Sequence, residues 1–317
     1  MRRLLKIVGG GVLVLAAVFV ALVIHANWAI SRTETRAPGD GAPGRMLTIA
    51  GHQWHVLTKN DPRRDPTGAP ILLVHGFIVA GAETFQPWAS TQLGDRSLIL
   101  PDLLGYGHSQ RIPVSGPWYS LRSYANGLAE MLDRLGVAQV DIVGHSYGGA
   151  VAAEFALDHP DRVRRIVFMD AGIYYAPSGT FDGIVQLPLG IGRAAAWHAF
   201  GAGPWGINTL ACKRRGCRWG ELARVAGTTD TLRAMMRSHR TFIQSDPLIP
   251  RIPLLRKPAM VIWGDNDRVI PLSDGKRLAR ETGARLVVIK GGRHMPSLWA
   301  AKEVGKDIRE FLRQNQR

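Results

Sequence analysis

One glycine-flanked serine stands where a predicted strand passes into a predicted helix. In VDIVGHSYGGAVAAEF, Gly144, Ser146 and Gly148 form the pattern Gly-x-Ser-x-Gly between a branched apolar run and an alanine-rich run. A sharp strand-to-helix turn strains the serine backbone, so the residues two positions away must be small. The turn exposes the hydroxyl, and the following helix directs free amide hydrogens toward a nearby oxyanion. The pattern predicts that Ser146 is a nucleophile; a helix-capping serine is the alternative.

A serine hydroxyl becomes a nucleophile only when a base takes its proton and an acid orients that base. His294 lies beyond the last predicted strand, in a turn before a helix, and we predict that it is the base. The stretch VIWGDNDRVIP ends another strand and offers Asp265 and Asp267, of which we choose Asp267. Asp170, at the end of IVFMD, is the reserve acid because a carboxylate at that strand end could also reach the base.

The oxyanion of an acyl-transfer intermediate needs hydrogen-bond donors. We predict the backbone amides of Tyr147, which follows the nucleophile, and of Phe77, in the loop after the apolar strand ILLVHG. His75 and His145 lie beside the same turns, and we expect them to order the loops by hydrogen bonding rather than to act as bases. This chemistry uses no metal and no cofactor, and we predict neither.

Short β-rich segments alternate with longer helical ones from residue 45 onward, which is typical of a mostly parallel sheet covered on both faces. The opening pair MLTIAG and HQWHVLT is predicted to be antiparallel, with a turn at Ala50 and Gly51. The alternation breaks over residues 173–256, a Gly-, Pro-, Trp- and Arg-rich stretch that we interpret as an inserted, mainly helical lid. The core is therefore predicted to comprise residues 45–172 and 257–317.

Residues 1–30 are predicted to form a transmembrane anchor. The run IVGGGVLVLAAVFVALVI has no charged side chain and would be about 27 Å long as a helix, close to the ~30 Å core of a bilayer. Basic side chains before the run outweigh those after it, which predicts a cytoplasmic N-terminus and an extracytoplasmic catalytic domain. A signal peptide, cleaved to give a secreted or periplasmic protein, is the alternative. Residues 31–44 are interpreted as a polar linker.

The chain has 317 residues and a formal net charge of +15 that is carried mostly by arginine. We interpret this charge as a solvated basic surface. Nucleic-acid binding is not expected, because the sequence contains no zinc-finger spacing, RNP-like strand or helix-turn-helix signature. Cys212 and Cys217 flank a basic run; outside the cytoplasm they could form a disulfide, and two thiols are the alternative. The sequence does not indicate the oligomeric state.

The chain resembles the α/β-hydrolase superfamily in five motifs that occur in the family's order: HGF, PDLLGYGHS, GHSYGG, WGDNDRVIP and GGRHMP. The resemblance covers about residues 45–315. It implies a mostly parallel, eight-stranded sheet flanked by helices, with a lid over residues 173–256. It also implies that Asp267 is the acid, because the acid commonly falls three residues after the glycine of the WG pair, and that Asp102 has a structural role.

We call the strand-to-helix turn at Ser146 the elbow. Members of this superfamily that open epoxides or displace halide carry aspartate at this position, so Ser146 indicates resemblance to the serine branch. We expect two-step hydrolysis of a carboxylic ester-type bond in a small-molecule substrate. Aromatic residues of the lid suggest an apolar acyl or alcohol group, or they only pack the lid onto the core; they are Phe181, Trp197, Phe200, Trp205 and Trp219. The alternatives are a carbon–carbon bond hydrolase, a cofactor-free perhydrolase or haloperoxidase, and a non-catalytic membrane-tethered binding protein.

Overall fold

The computed structural model describes residues 2–33, 38–39, 41–76, 81–112, 118–174, 183–199 and 248–313. The strands are β1 Arg45–Ile49, β2 His52–Lys59, β3 Ile71–Val74, β4 Leu98–Pro101, β5 Val140–His145, β6 Val163–Met169, β7 Ala259–Gly264 and β8 Arg285–Ile289. The helices are α1 Arg2–Thr33, α2 Gln86–Gln92, α3 Leu121–Leu135, α4 Tyr147–Asp158, α5 Ile191–Ala199, α6 Leu248–Arg251, α7 Leu272–Thr282, α8 Pro296–Trp299 and α9 Ala301–Arg313.

The strands form one eight-stranded sheet in the order β1-β2-β4-β3-β5-β6-β7-β8. The pairs β1–β2 and β2–β4 are antiparallel, and the remaining neighbours are parallel. Ala50 and Gly51 connect β1 to β2 with φ angles of 49° and 79°, which suits a two-residue turn with two left-handed positions. The predicted fold class and the antiparallel opening pair are confirmed.

Both faces of the sheet are buried, which explains why β3 reads as an unbroken apolar run. Side chains of neighbouring strand residues point to opposite faces, so Leu72 packs in one hydrophobic cluster and Ile71 in the other. The first cluster includes buried residues of α3, α4 and α7, and the second includes those of α2 and α9. The sheet is therefore the middle layer of three.

The carboxyl ends of the parallel strands lie along one edge of the sheet, which we call the carboxyl edge. Strands β3 to β8 end there, and each is followed by polar residues that the sequence singled out. Ligands of open α/β sheets bind at this edge. The topology therefore collects motifs that are far apart in sequence.

Helix α1 contains an apolar stretch, Gly9–Arg32, that is long enough to cross a membrane. A membrane anchor and a signal sequence both have this property. The helix continues to Thr33, beyond the predicted boundary at residue 30. A polar composition does not end a helix, and the first proline after the apolar run is Pro38.

The described residues include only part of the predicted lid, 173–174, 183–199 and 248–256, and these contain α5 and α6. Four of its aromatic residues and the two cysteines lie outside the described residues: Phe181, Phe200, Trp205, Trp219, Cys212 and Cys217. The lid boundaries and the cysteine pairing stay predictions.

Helix α3 packs so closely on β2 that Gly127 has no room for a side chain. A Cβ at this position would lie 2.6 Å from Cζ2 of the buried Trp54. Glycine to alanine within a helix normally stabilises by about 1 kcal/mol, but overpacking a core costs about 1–3 kcal/mol. We therefore expect Gly127→Ala to lower the free energy of unfolding, measured by denaturant titration.

The control is the same substitution in a Trp54→Leu background, where the smaller side chain removes the clash and Gly127→Ala should become neutral or stabilising. An equal loss in both backgrounds would show that the contact with Trp54 is not the cause.

Candidate active site

Ser146 occupies the turn between β5 and α4 with φ 53° and ψ −122°, a conformation that costs a residue with a side chain about 1–3 kcal/mol. The neighbouring glycines allow it. A Cβ at Gly144 would lie 2.4 Å from the carbonyl oxygen of Gly148, and one at Gly148 would lie 2.3 Å from that of Val74. Ser146 makes no side-chain capping bond to α4, so the helix-capping alternative does not hold.

His294 links Ser146 to Asp267 through its two ring nitrogens. Nε2 lies 2.9 Å from the Ser146 hydroxyl, and Nδ1 lies 2.8 Å from Oδ2 of Asp267. The amides of Val269 and Ile270 donate to Oδ1 of Asp267 at 2.7 and 3.0 Å, which fixes the carboxylate. In this arrangement Nδ1–H donates to Asp267 and Nε2 accepts the serine proton.

The other two candidate acids make different contacts. Asp265 is exposed and accepts the amide hydrogen of Gly291 at 2.6 Å, so it stabilises the loop after β8. Asp170 is fully buried, and its Oδ1 accepts the amide hydrogen of Gly264 at 3.0 Å. His294 therefore donates its hydrogen bond to Asp267, not to Asp265 or to the reserve acid Asp170.

Asp170 is a neutral carboxylic acid at pH 7. Burial raises its pKa to about 8, and the nearby Asp267 adds to this while the Gly264 amide opposes it. Its Oδ2 is buried and makes no hydrogen bond to the described residues. Oxygen and nitrogen atoms of Asp170, His145 and His294 lie within 4.8 Å of one another, a spacing that a cation could share. Both ring nitrogens of His294 already have partners in Asp267 and Ser146, which leaves neither nitrogen free to bind a cation.

His145 holds the backbone of His294 in place. Its Nε2–H donates to the backbone oxygen of His294 at 2.6 Å, and its ring packs against Phe85 and His294 at centroid distances of 5.6 and 5.1 Å. Burial, with a smaller effect from His294, lowers the pKa of His145 to about 3, so the ring is neutral. This contact agrees with a role in ordering the loops.

His75 joins the loops that follow β3 and β4. Its Nδ1–H donates to the Gly76 carbonyl at 2.9 Å, and its Nε2 accepts the amide hydrogen of Leu103 at 3.0 Å. Burial lowers its pKa, which favours the neutral ring that this pair of contacts requires. His75 therefore also orders loops, as expected.

Asp102 also holds the loops at the carboxyl edge of the sheet, through a hydrogen-bonded pair with His55. Its Oδ2 lies 2.7 Å from Nδ1 of His55, and it also accepts amide hydrogens from Ala82 and His108 at 2.6 and 2.8 Å. Burial favours the neutral acid, but the hydrogen bond and charge of His55 outweigh it and lower the pKa of Asp102. His55 also donates to the carbonyl of Pro43.

The buried His55 was not predicted from the sequence. The available signal was a histidine within the apolar strand β2, because a buried polar side chain needs a partner.

Of the two predicted oxyanion donors, Tyr147 is the first residue of α4, directly after Ser146. Phe77 lies outside the described residues, and the position of its amide stays a prediction. The preceding residue is described: a Cβ at Gly76 would lie 2.9 Å from Cβ of Ser146. The chain therefore passes against the serine immediately before Phe77.

A sheet of this topology, with a strained serine after one strand and its acid and histidine after later strands, defines a known class of hydrolytic folds. The model of the alpha/beta hydrolase family matches residues 71–304. The chain belongs to the alpha/beta hydrolase family.

Similar proteins carry several hydrolase names. The 2-hydroxymuconate semialdehyde hydrolase of Pseudomonas putida is 30% identical over 290 residues, which cover 85% of this chain and 94% of that protein. Lipase 3 of Moraxella sp. (strain TA144) is 25% identical over 277 residues, 84% of each chain. A thermophilic esterase from Thermogutta terrifontis has a similar structure, with a TM-score of 0.65 at 21% identity over 86% of this chain and 99% of that one. Identity at that level shows the fold alone.

The raised pKa of Asp170 predicts a pH-dependent stability. The folded protein keeps this proton between about pH 4 and about pH 8, where an unfolded chain with the ordinary value of 3.8 has released it. The contribution of Asp170 to the free energy of unfolding therefore falls as the pH rises through this window, while below about pH 6.5 the lowered pKa of His145 has the opposite effect. Asp170→Asn removes the titration and keeps the shape, so between about pH 6.5 and pH 8 we expect a flatter profile and higher stability at the alkaline end, measured by denaturant unfolding.

Asp161→Asn, at an exposed surface position, serves as the control and should keep the wild-type slope. If Asp170→Asn keeps that slope as well, Asp170 is ionised in the folded protein at neutral pH.

Proposed function

We propose that this protein is a serine hydrolase that cleaves a carboxylic ester bond of an apolar substrate through an acyl-enzyme. The observation that carries the proposal is the continuous chain of hydrogen bonds from the Ser146 hydroxyl to His294 and on to Asp267, at 2.9 and 2.8 Å. A serine held in a left-handed conformation beside such a histidine is the arrangement that nucleophilic catalysis requires.

In the first step Oγ of Ser146 attacks the ester carbonyl while Nε2 of His294 takes the hydroxyl proton. Asp267 stabilises the imidazolium through its bond to Nδ1, and the amides of Tyr147 and Phe77 donate to the oxyanion. The tetrahedral intermediate then expels the alcohol, which receives the proton from His294. Water repeats the sequence on the acyl-enzyme and releases the carboxylic acid.

Apolar residues beside the nucleophile support an apolar substrate. Ile173 and Ile270 are buried close to the elbow, and a Cβ at Gly172 would lie 3.4 Å from the carbonyl carbon of Ser146 and 3.5 Å from Cδ1 of Ile270. Tyr147 is also largely buried. Apolar walls with a few directed polar groups are typical of small-molecule sites.

A carbon–carbon bond hydrolase is the second candidate. The relative named 2-hydroxymuconate semialdehyde hydrolase favours it, since its 30% identity extends over 94% of its own length. The same serine, histidine and oxyanion donors would serve, but the leaving group is a carbanion and must be protonated on carbon. An ester hydrolase needs no such step.

Removing the nucleophile tests both candidates. We expect Ser146→Ala to lose hydrolysis by at least about a thousandfold, because the acyl-enzyme cannot form. A fluorophosphonate probe should label the wild type and not this variant. Ser123→Ala, on α3, is the matched control and should retain labelling and turnover. Folded wild-type protein that resists the probe would argue against an activated serine.

The two candidates are separated by their substrates. We would compare kcat/KM on the same preparation for two kinds of substrate. The first is a series of p-nitrophenyl esters of graded chain length, and the second is a dienoate ketone of the kind produced by cleavage of an aromatic ring. Preference for the esters supports the first candidate. Preference for the ketone, with slow ester turnover, replaces it with the second.

We further propose that α1 is retained as a membrane anchor, with the catalytic domain on the extracytoplasmic side. Ala26 and Ile30 of α1 are fully buried against Ala194 and Trp197 of α5. Cleavage of the helix would expose this apolar contact to water, which favours retention over signal cleavage. The excess of basic residues at the N-terminal end supports the orientation.

Fractionation tests the anchor. We expect the full-length protein to remain in the membrane pellet after alkaline extraction, because a transmembrane helix is not displaced by breaking ionic contacts. A C-terminal alkaline phosphatase fusion should be active, since that reporter needs an oxidising compartment. A shortened soluble protein would favour signal cleavage, and an inactive fusion on an intact anchor would reverse the orientation.

A further inference from the structure

The chain that leaves α1 is fastened to the carboxyl edge of the sheet. The amide of Gly39 donates to the carbonyl of His108 at 3.0 Å, and the amide of His108 donates to Asp102 at 2.8 Å. Asp102 directly follows β4. The few residues between Thr33 and Gly39 extend over at most about 20 Å. The end of α1 therefore lies within that distance of the edge that carries Ser146.

A second connection joins α1 to the segment that follows β6. Asn27 donates to the carbonyl of Gly190 at 3.0 Å and accepts from the Arg193 guanidinium at 3.2 Å. Gly190 packs against Asn27 so closely that a Cβ there would lie 2.6 Å from the amide nitrogen. Together with the packing of Ala194 and Trp197 on Ala26 and Ile30, these contacts hold residues 183–199 beside the last turns of the helix.

These contacts lie where a bilayer would end. The apolar stretch begins at Gly9, and about 20 helical residues cross a hydrocarbon core, which brings the far boundary close to Asn27 and Trp28. Trp28 is exposed, and tryptophan favours the membrane interface. Residues 183–199 would therefore lie at the membrane surface.

The same segment exposes large apolar side chains. Leu189 is 89% exposed, and Ile184 and Leu187 are each 42% exposed. Leu189 also has a φ of 58°, a left-handed conformation that is unfavourable for leucine. Side chains of this kind are stable in the interfacial region of a bilayer, where the apolar group leaves water.

We propose that the carboxyl edge of the sheet faces the membrane, that Ile184, Leu187 and Leu189 insert into the adjoining leaflet, and that the substrate is a long-chain ester drawn from the lipid. Both surfaces are continuous with the membrane span: one connection holds the carboxyl edge near the end of α1, and the other holds residues 183–199 against its last turns. The substrate class rests on the proposed ester hydrolysis, whereas the orientation does not.

The orientation is tested without activity. Full-length protein carrying Leu189→Cys in a Cys212→Ser, Cys217→Ser background is labelled with an environment-sensitive fluorophore and placed, one chain per disc, in phosphatidylcholine nanodiscs. We expect quenching by doxyl-labelled lipid at this position. The matched control is Leu254→Cys, an exposed leucine next to α6, which should not be quenched. Equal quenching at both positions, or none at Leu189, overturns the orientation.

The substrate class is tested by comparing two esters. Leu189→Asp should lower hydrolysis of p-nitrophenyl palmitate held in phosphatidylcholine vesicles about tenfold, because a charge replaces an inserted apolar group. Hydrolysis of water-soluble p-nitrophenyl acetate should not change, since aspartate tolerates the left-handed conformation. Leu254→Asp should leave both rates unchanged. Equal effects of Leu189→Asp on the two esters would overturn membrane delivery.

Failure of the proposed function gives a different pattern. If the label at position 189 is quenched by lipid but neither ester is hydrolysed in a manner that depends on Ser146, the orientation stands and the ester hydrolase does not. If both esters are hydrolysed and the label is not quenched, the reverse holds.

Discussion

The backbone of Ser146 is the constraint on which the rest of the site depends. Its amide donates to the carbonyl of Met169, and its carbonyl accepts amide hydrogens from Gly149 and Gly172. These contacts tie the elbow to β6 and compensate for a left-handed φ. His145 and Ser146 together hold both parts of His294, the first through its backbone oxygen and the second through its ring. A shift of the elbow would therefore displace the histidine as well as the nucleophile.

The carboxyl edge is held by buried polar side chains rather than by packing alone. His75 and Asp102 each join two loops, and the hydrogen bond and charge of His55 lower the pKa of Asp102. Such buried groups are stabilising only when each has its partners, so they define one arrangement of the loops. Asp170 lies outside this pattern: burial raises its pKa to about 8, and the nearby Asp267 adds to this effect.

Much of the fold and the main side chains of the site could be predicted from sequence, because they depend on local patterns. Strand and helix periods, the glycines around Ser146 and the positions of Asp267 and His294 after strands are all visible in short windows. The support of Asp102 by His55 could not be found this way, since it depends on the pairing of β2 with β4. The packing of α1 on α5 was missed for the same reason, because these elements are far apart in the chain.

The contact between Asn27 and Gly190 also affects how the molecule can be divided. A catalytic domain cut free at the end of α1 would keep its sheet but would present Ala194 and Trp197 to water. Such a fragment would tend to associate with itself or with detergent through that stripe. The helix is therefore a structural partner of the enzyme body and not an interchangeable tether.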